Sequence, residues 1–305
     1  MKKLVLLLTC LLLGSFTVVG QANSLKVKTK PIIVNTSTDK VSTLKKMTQE
    51  LSAYDVIFFG EYHDQASLHK LEADLLEELY ILHGNKLVLS LEMFEADQQD
   101  TLNKYLDGKI TETEFLATAR PWPNYETDYK PLVEFAKTHK LPVIAANIPR
   151  FLAAHLAKNG SLDAIDEKDS AYLPRHTYAP EGKYKEKFMG YMSGMNNSMA
   201  AARQRVEQMF AAQSLKDDKM AESIFAYREA NPNAVVLHVN GSFHSDAHLG
   251  TAEKLAKLDQ NLKIGVISPK YMEVDGDYLK NYATDKKDGE YIIYVVREEK
   301  NDEQK

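Results

Sequence analysis

The chain has 305 residues, 44% hydrophobic and 27% charged, with 38 basic and 43 acidic residues for a net charge of −5. That composition belongs to a globular protein with room for one large domain or two modest ones. A negative balance without a basic run gives no footing for a nucleic-acid partner, and a lone cysteine excludes a disulfide within the chain.

Lys2 and Lys3 precede an apolar run over residues 4–13, interrupted by Thr9 and Cys10. Small and polar residues follow over 14–24. This layout predicts a signal peptide over residues 1–22, too short to span a bilayer, with cleavage near Gly20 or Ala22. The mature protein is then expected outside the cytoplasm, periplasmic or associated with the cell surface. Losing Lys2 and Lys3 takes the net charge from −5 to −7. It also discards Cys10, which rules out cysteine catalysis in the mature chain. A lipoprotein would keep Cys10 as an acylated first residue. Leu7-Leu8-Thr9-Cys10 is a poor lipobox and comes early, so simple export is the expectation.

Residues 23–305 are read as the mature protein. Its α/β core is expected over about 41–150 and 232–297, with a helical insertion over about 151–231. A short strand is expected at 32–34 and a helix over 41–51. Residues 56–59 are an apolar run that ends at Gly60, the pattern of a buried strand. Asp64 is a suitable N-cap. Leu68, Leu71, Leu75, Leu76, Leu79 and Leu82 recur at helical spacing, and Gly84 stops the helix. A second strand over 86–91 delivers Glu92, and 93–105 looks helical. A loop and short helix over 107–122 close on Pro121-Trp122-Pro123. An amphipathic helix over 129–140 leads to a third strand over 141–146, with Asn147, Pro149 and Arg150 at its end.

Residues 151–231 show no convincing strand. Helices are expected over 151–158, 183–192, 200–213 and 215–229. The interval is rich in methionine (Met189, Met192, Met195, Met199, Met209, Met220) and carries Tyr172, Tyr178, Tyr184 and Tyr191. Such residues suit core filling and equally suit the wall of a flat apolar ligand. A fourth strand over 234–239 runs into Asn240-Gly241-Ser242-Phe243-His244-Ser245-Asp246-Ala247-His248, and a helix over 250–258 follows. Strands over 264–267 and 291–296 precede a charged tail. Apolar strands separated by helices predict an α/β protein, its mainly parallel sheet flanked by helices.

Four strands stop at chemically competent residues: Glu61 with His63, Glu92, Asn147 with Arg150, and Asn240 with His244. Any one could be a cap. Ligands of open α/β sheets bind beyond the carboxyl ends of strands, so the set is expected in one cleft with Arg150 on its rim. Glu61, His63, Glu92 and His244 could hold a divalent metal or activate water. Glu61 or Glu92 would be the general base of a hydrolase, with Arg150 or Asn240 stabilising an oxyanion. His244 and His248 are four apart and on a helix would share one face.

Phe-Gly-Glu-Tyr-His at 59–63, Ser-Leu-Glu-Met-Phe at 90–94 and Gly-Ser-Phe-His at 241–244 resemble the ChaN-like haem-binding lipoproteins. So do Tyr129-Lys130-Pro131, Asn147-Ile148-Pro149-Arg150, and the Gln213, Asp217, Met220, Ala221 set. The likeness runs from about Tyr54 to about Ile267. Its Glu-x-His and Gly-x-x-His elements also mark TIKI, TraB and erythromycin-esterase relatives, some of them hydrolases. The resemblance implies a parallel-sheet domain with a smaller helical domain. It implies haem binding in iron acquisition, a homodimer with haems at the interface, and association with the outer membrane. A haem site needs an axial ligand and donors for the propionates. His63, His244, His248 and the tyrosines remain as ligands, and Arg150 offers a bidentate fork with Asn147 and Asn240 as further donors. Two departures stand out. The lipobox is poor, and the stretch after His244, Ser-Asp-Ala-His-Leu-Gly, holds no tyrosine to serve as ligand. The expectation is an exported haem-binding protein; the alternative is a TIKI-like metal-dependent hydrolase.

Overall fold

A computed structural model describes residues 30–192, 200–274 and 277–298. The signal-peptide reading of residues 1–22, Met195, Met199 and the end of the charged tail lie outside the described residues. The apolar runs become strands β1 (Ile32–Asn35), β2 (Lys40–Ser42), β3 (Val56–Glu61), β4 (Leu87–Glu95), β5 (Val143–Asn147), β6 (Val235–Gly241), β7 (Ile264–Met272) and β8 (Tyr291–Val296). They form one sheet in the order β2-β1-β8-β7-β3-β6-β4-β5. Only β1 runs antiparallel, to both β2 and β8; every other pair is parallel. The helices are α1 (Leu44–Leu51), α2 (Ala66–His83), α3 (Gln99–Leu106), α4 (Glu112–Thr118), α5 (Lys130–His139), α6 (Arg150–Asn159), α7 (Glu167–Ser170), α8 (Lys183–Tyr191), α9 (Ala200–Ala230), α10 (Thr251–Leu258) and α11 (Leu279–Asp285).

Every residue of β3 and β4 is buried. Such strands need no polar alternation, because helices cover both faces. On one face Ile57, Phe59, Leu89, Leu91, Leu237 and Val239 pack with Leu68, Leu75 and Leu79 of α2 and Leu132 and Val133 of α5. On the other, Val56, Phe58, Val88 and Val236 meet Met220, Ala221 and Ile224 of α9 and Leu255 of α10. Successive strand residues thus serve opposite layers, as the two-residue period requires.

Four local expectations are corrected. Gln65, not Asp64, stands at the N-cap of α2, with no side-chain capping bond. The helix expected from Met93 begins at Gln99. The apolar Met93 and Phe94 are buried within β4, which shifts register against β5 between Leu91 and Glu95 and pairs Glu95 with Asn147. The helices expected over 200–213 and 215–229 are one 31-residue helix; no breaker separates them, and Ser214 spends its hydroxyl on the Tyr178 carbonyl at 2.8 Å. Strand β2 and helix α11 appear where none was expected.

Candidate functional site

The parallel strands end on one side of the sheet, and a cleft of about 1710 Å³ opens above β3, β4, β5 and β6. Trp122, Pro123 and Asn124 line one side, and Phe188, Met192, Met209 and Phe243 contribute apolar lining from the side of α8 and α9. Among the residues singled out from sequence, Glu61, His63, Glu92, Asn147, Arg150 and His244 line it.

Glu92 ties two strand ends together: its Oε2 accepts the Gly241 backbone N–H at 2.7 Å. Its Oε1 lies 3.4 Å from Nε2 of His244. The other His244 nitrogen, Nδ1, sits 2.6 Å from Oδ1 of Asp217 on α9. Asp217 also accepts from the Tyr184 hydroxyl at 2.6 Å and the Thr251 hydroxyl at 2.8 Å. All three members of this carboxylate–imidazole–carboxylate array are buried. Burial would depress the His244 pKa, but the charges of Glu92 and Asp217 outweigh it and push it up to about 10. Burial would likewise raise Glu92, yet the charges of His244, His63 and Lys216 hold it well below the usual carboxylate range.

Glu61, at the end of β3, forms the second array. Its Oε1 takes the Tyr129 hydroxyl at 2.8 Å and lies 2.5 Å from Nδ1 of His63. Its Oε2 is 3.0 Å from Nδ1 of His69 on α2. Burial opposes ionisation of Glu61, but the hydrogen bond from His63 and the charges of His63 and His69 prevail and its pKa falls. His63 is partly exposed and meets Trp122 edge-on, with ring centroids 4.7 Å apart. Burial works against its protonation, but the bond to Glu61 and the charge of Glu92 raise its pKa. The two arrays meet at Gly241, where a Cβ would fall 2.8 Å from Cε1 of His63 and 3.6 Å from Oε2 of Glu92. Only glycine lets the imidazole lie against the end of β6.

The remaining sequence candidates divide. Asn147 spans β4 and β5: its Nδ2 donates to the Glu92 carbonyl at 3.1 Å, and its Oδ1 accepts from Ile148 N at 2.9 Å. Arg150 donates from Nε to Oε1 of Glu95 at 2.5 Å, and its side chain is 62% exposed. Arg120 shares that carboxylate at 3.0 Å. Asn240 is fully buried beneath the cleft and does not line it; its Nδ2 serves the Gly241 carbonyl and Ser245 hydroxyl. His248 also lies outside the lining, with Nε2 3.1 Å from Oε1 of Glu290. It shares no helix face with His244: each sits in its own short 3-10 turn, and Ala247 and His248 have φ of 61° and 55°.

The family described as "Haem-binding uptake, Tiki superfamily, ChaN" matches residues 47–255, more than half of the chain. The chain belongs to the ChaN family. ChaN of Campylobacter jejuni, solved with cofacially bound haem, is similar in fold at 19% identity and a TM-score of 0.65, covering 88% of this chain and 97% of that one. A mutant of the erythromycin esterase EreC, in its open conformation, aligns at 15% identity and a TM-score of 0.47, over 80% of this chain and 77% of that one. The type III effector HopBA1 aligns at 12% and 0.46, over 84% and 94%. No curated protein matches the chain.

Within this ChaN-family fold, sequence reasoning missed His69, Glu72 and Lys216. Glu72 falls four residues after Leu68 and three before Leu75, so it interrupts the apolar stripe of α2, and that interruption is its signal. Lys216 lies on α9 one residue before Asp217. Among the described residues it has no ion-pair partner, and it lines the cleft near Glu92. The four residues expected to share a metal instead fall into the two arrays. Among the described residues, the one group of three whose ligand atoms lie within 4.8 Å of one another is Glu61, His69 and Glu72.

Proposed function

We propose that this ChaN-family protein binds haem in the cleft at the carboxyl edge of its sheet, as an exported protein of haem and iron acquisition. The observation that carries the reading is a single cleft lined both by apolar side chains and by cationic donors. Phe188, Met192, Met209 and Phe243 are the apolar side chains; Lys216, Lys187, Arg150 and the half-exposed His63 supply the donors. A porphyrin needs the first for its faces and the second for its propionates. Tyr191, 81% exposed at the cleft mouth, offers an axial phenolate of the kind some haem proteins use.

Carboxylates flank both nitrogens of His244 and hold the ring protonated near neutral pH, and the bond to Glu61 and the charge of Glu92 raise the pKa of His63. Such rings suit a carboxylate-bearing ligand; a hydrolase would have to use Glu61 or Glu92 as its base.

Titration of the mature chain with ferric haem should give a saturable Soret change. Lys216→Ala and Arg150→Ala should each weaken binding about tenfold or more, since a hydrogen bond to a charged group contributes roughly 1.5–3 kcal/mol. Glu61→Gln should matter less. A Soret change that never saturates, or one indifferent to both cation variants, would refute the cleft as the haem site. Metal-dependent turnover lost in Glu92→Gln would put the hydrolase in its place.

Export rests on the charged-then-apolar start of the sequence, and among the described residues no helix is long and apolar enough to cross a membrane. Mass spectrometry of material from the native host should find a first residue near Gln21 or Asn23. An uncleaved Met1 would end the export reading, and an acylated Cys10 would make the protein a lipoprotein.

A further inference from the structure

Three buried ligand-type side chains meet beneath His63, where α2 crosses the end of β3. Glu61, His69 and Glu72 are 1%, 4% and 0% exposed. His69 and Glu72 lie three residues apart on one helix face. His69 Nδ1 is 3.0 Å from Oε2 of Glu61 and 3.3 Å from Oε2 of Glu72. One imidazole N–H cannot serve both carboxylates. It is directed at Glu72, and Glu61 Oε2, although nearer, is left without a hydrogen bond. Oε1 of Glu72 has no partner either. Burying unpaired carboxylate oxygens is costly, and an ion between these groups would give both of them a partner.

A divalent ion suits that space. Ligand atoms about 2.0–2.2 Å from one tetrahedral ion lie roughly 3.3–3.6 Å from each other; His69 Nδ1 is 3.3 Å from the Glu72 carboxylate and, a few tenths of an ångström closer than that range, 3.0 Å from Glu61. The far nitrogen, Nε2, faces the His63 carbonyl at 3.4 Å and Oδ2 of Asp128 at 3.5 Å. A carbonyl or carboxylate there is what a metal-bound histidine uses to fix its ring and tautomer. Tyr129 and His63 occupy the other oxygen of Glu61, which turns Oε2 toward α2.

We propose that Glu61, His69 and Glu72 bind a divalent first-row transition ion, of the zinc or manganese kind, which pins α2 to the end of β3. Imidazole combined with carboxylates favours such ions over magnesium or calcium. The site is a structural anchor: His69 and Glu72 do not line the cleft, and the reading stands whether or not haem binds above it.

The test uses the untagged, haem-free mature chain, stripped with a chelator and reloaded separately with Zn²⁺ and Mn²⁺. About one equivalent of one of these ions should survive gel filtration, and its addition should raise Tm. Glu72→Gln, which preserves shape, and His69→Gln should each weaken retention at least tenfold, with the fold checked by circular dichroism. His244→Gln should leave retention unchanged. If the wild-type chain retains neither ion and shows no Tm rise, the cluster is a hydrogen-bonded network and the proposal fails. Retention lost in His244→Gln but kept in Glu72→Gln would overturn it as well, by moving the ion to the Glu92 array.

Discussion

Two histidines six residues apart show that burial alone does not set charge. His244 is flanked by Glu92 and Asp217 and stays protonated. His238, in the middle of β6, is completely buried, with Nδ1 2.9 Å from the Ser90 hydroxyl and Nε2 unpartnered. Burial lowers its pKa from 6.5 to about 3. The sign follows: the unfolded chain takes up this proton below pH 6.5, whereas the native state refuses it until about pH 3. The stability His238 contributes is therefore present above pH 6.5 and lost as pH falls toward 3, at up to about 1.4 kcal/mol per pH unit. His238→Asn removes the titration while keeping a polar partner for Ser90. Urea unfolding between pH 6.5 and 4 should show a shallower loss in the variant than in the wild type. Equal slopes would mean that His238 is protonated in the folded protein.

Among elements, the central strands are legible in the sequence because burial on both faces leaves an uninterrupted apolar run, and the residue that ends such a run stands out. Glu61, Glu92 and Asn147 are visible that way. Asn240 obeys the same rule, yet it points beneath the cleft; a strand end fixes position along the chain and leaves side-chain direction open. The end of β4 is misread because Met93 and Phe94 suit a helix as well as a strand, and a register shift against β5 is a property of the pairing alone. The unity of α9 is hidden because Ser214 reads as a break until the Tyr178 carbonyl is seen beside it. Edge protection is equally invisible. Gln99 lays its amide along the outer strand, accepting from Ala145 N and donating to the Val143 carbonyl, each at 2.8 Å, in place of a neighbouring strand. Closing an edge in this way removes a template for aggregation. On α2, His69 is masked by the leucines around it, whereas Glu72 is legible as a break in their stripe.

At the scale of the whole molecule, three of the covering helices meet the end of the sheet at one buried carboxylate. Asp217 of α9 holds Tyr184 of α8, His244 beyond β6 and Thr251 at the start of α10. Gly250 leaves room for this junction, since a Cβ there would fall 2.6 Å from the His244 carbonyl and 3.1 Å from Oδ1 of Asp217. Breaking a buried ion pair by removing one charge costs about 3–5 kcal/mol, because the other charge is left unpaired. Asp217→Asn should therefore lower the urea midpoint substantially at pH 7 while Glu92 still holds the remaining side of His244. The pH dependence identifies the cause. His244 has a folded pKa of about 10 against 6.5 unfolded. Its contribution is complete below pH 6.5 and is lost as pH rises toward 10. In Asp217→Asn one of the two anions that raise this pKa is gone, so the loss of stability between pH 6.5 and 10 should flatten relative to wild type. His244→Gln should flatten it further, and the double variant should fall short of the sum of the two singles, as expected for residues in direct contact. Parallel pH profiles for wild type and Asp217→Asn would show that the destabilisation comes from either Tyr184 or Thr251 losing its acceptor oxygen, with His244 neutral in the folded protein. The donor role given to His244 beneath the haem cleft would then be lost with it.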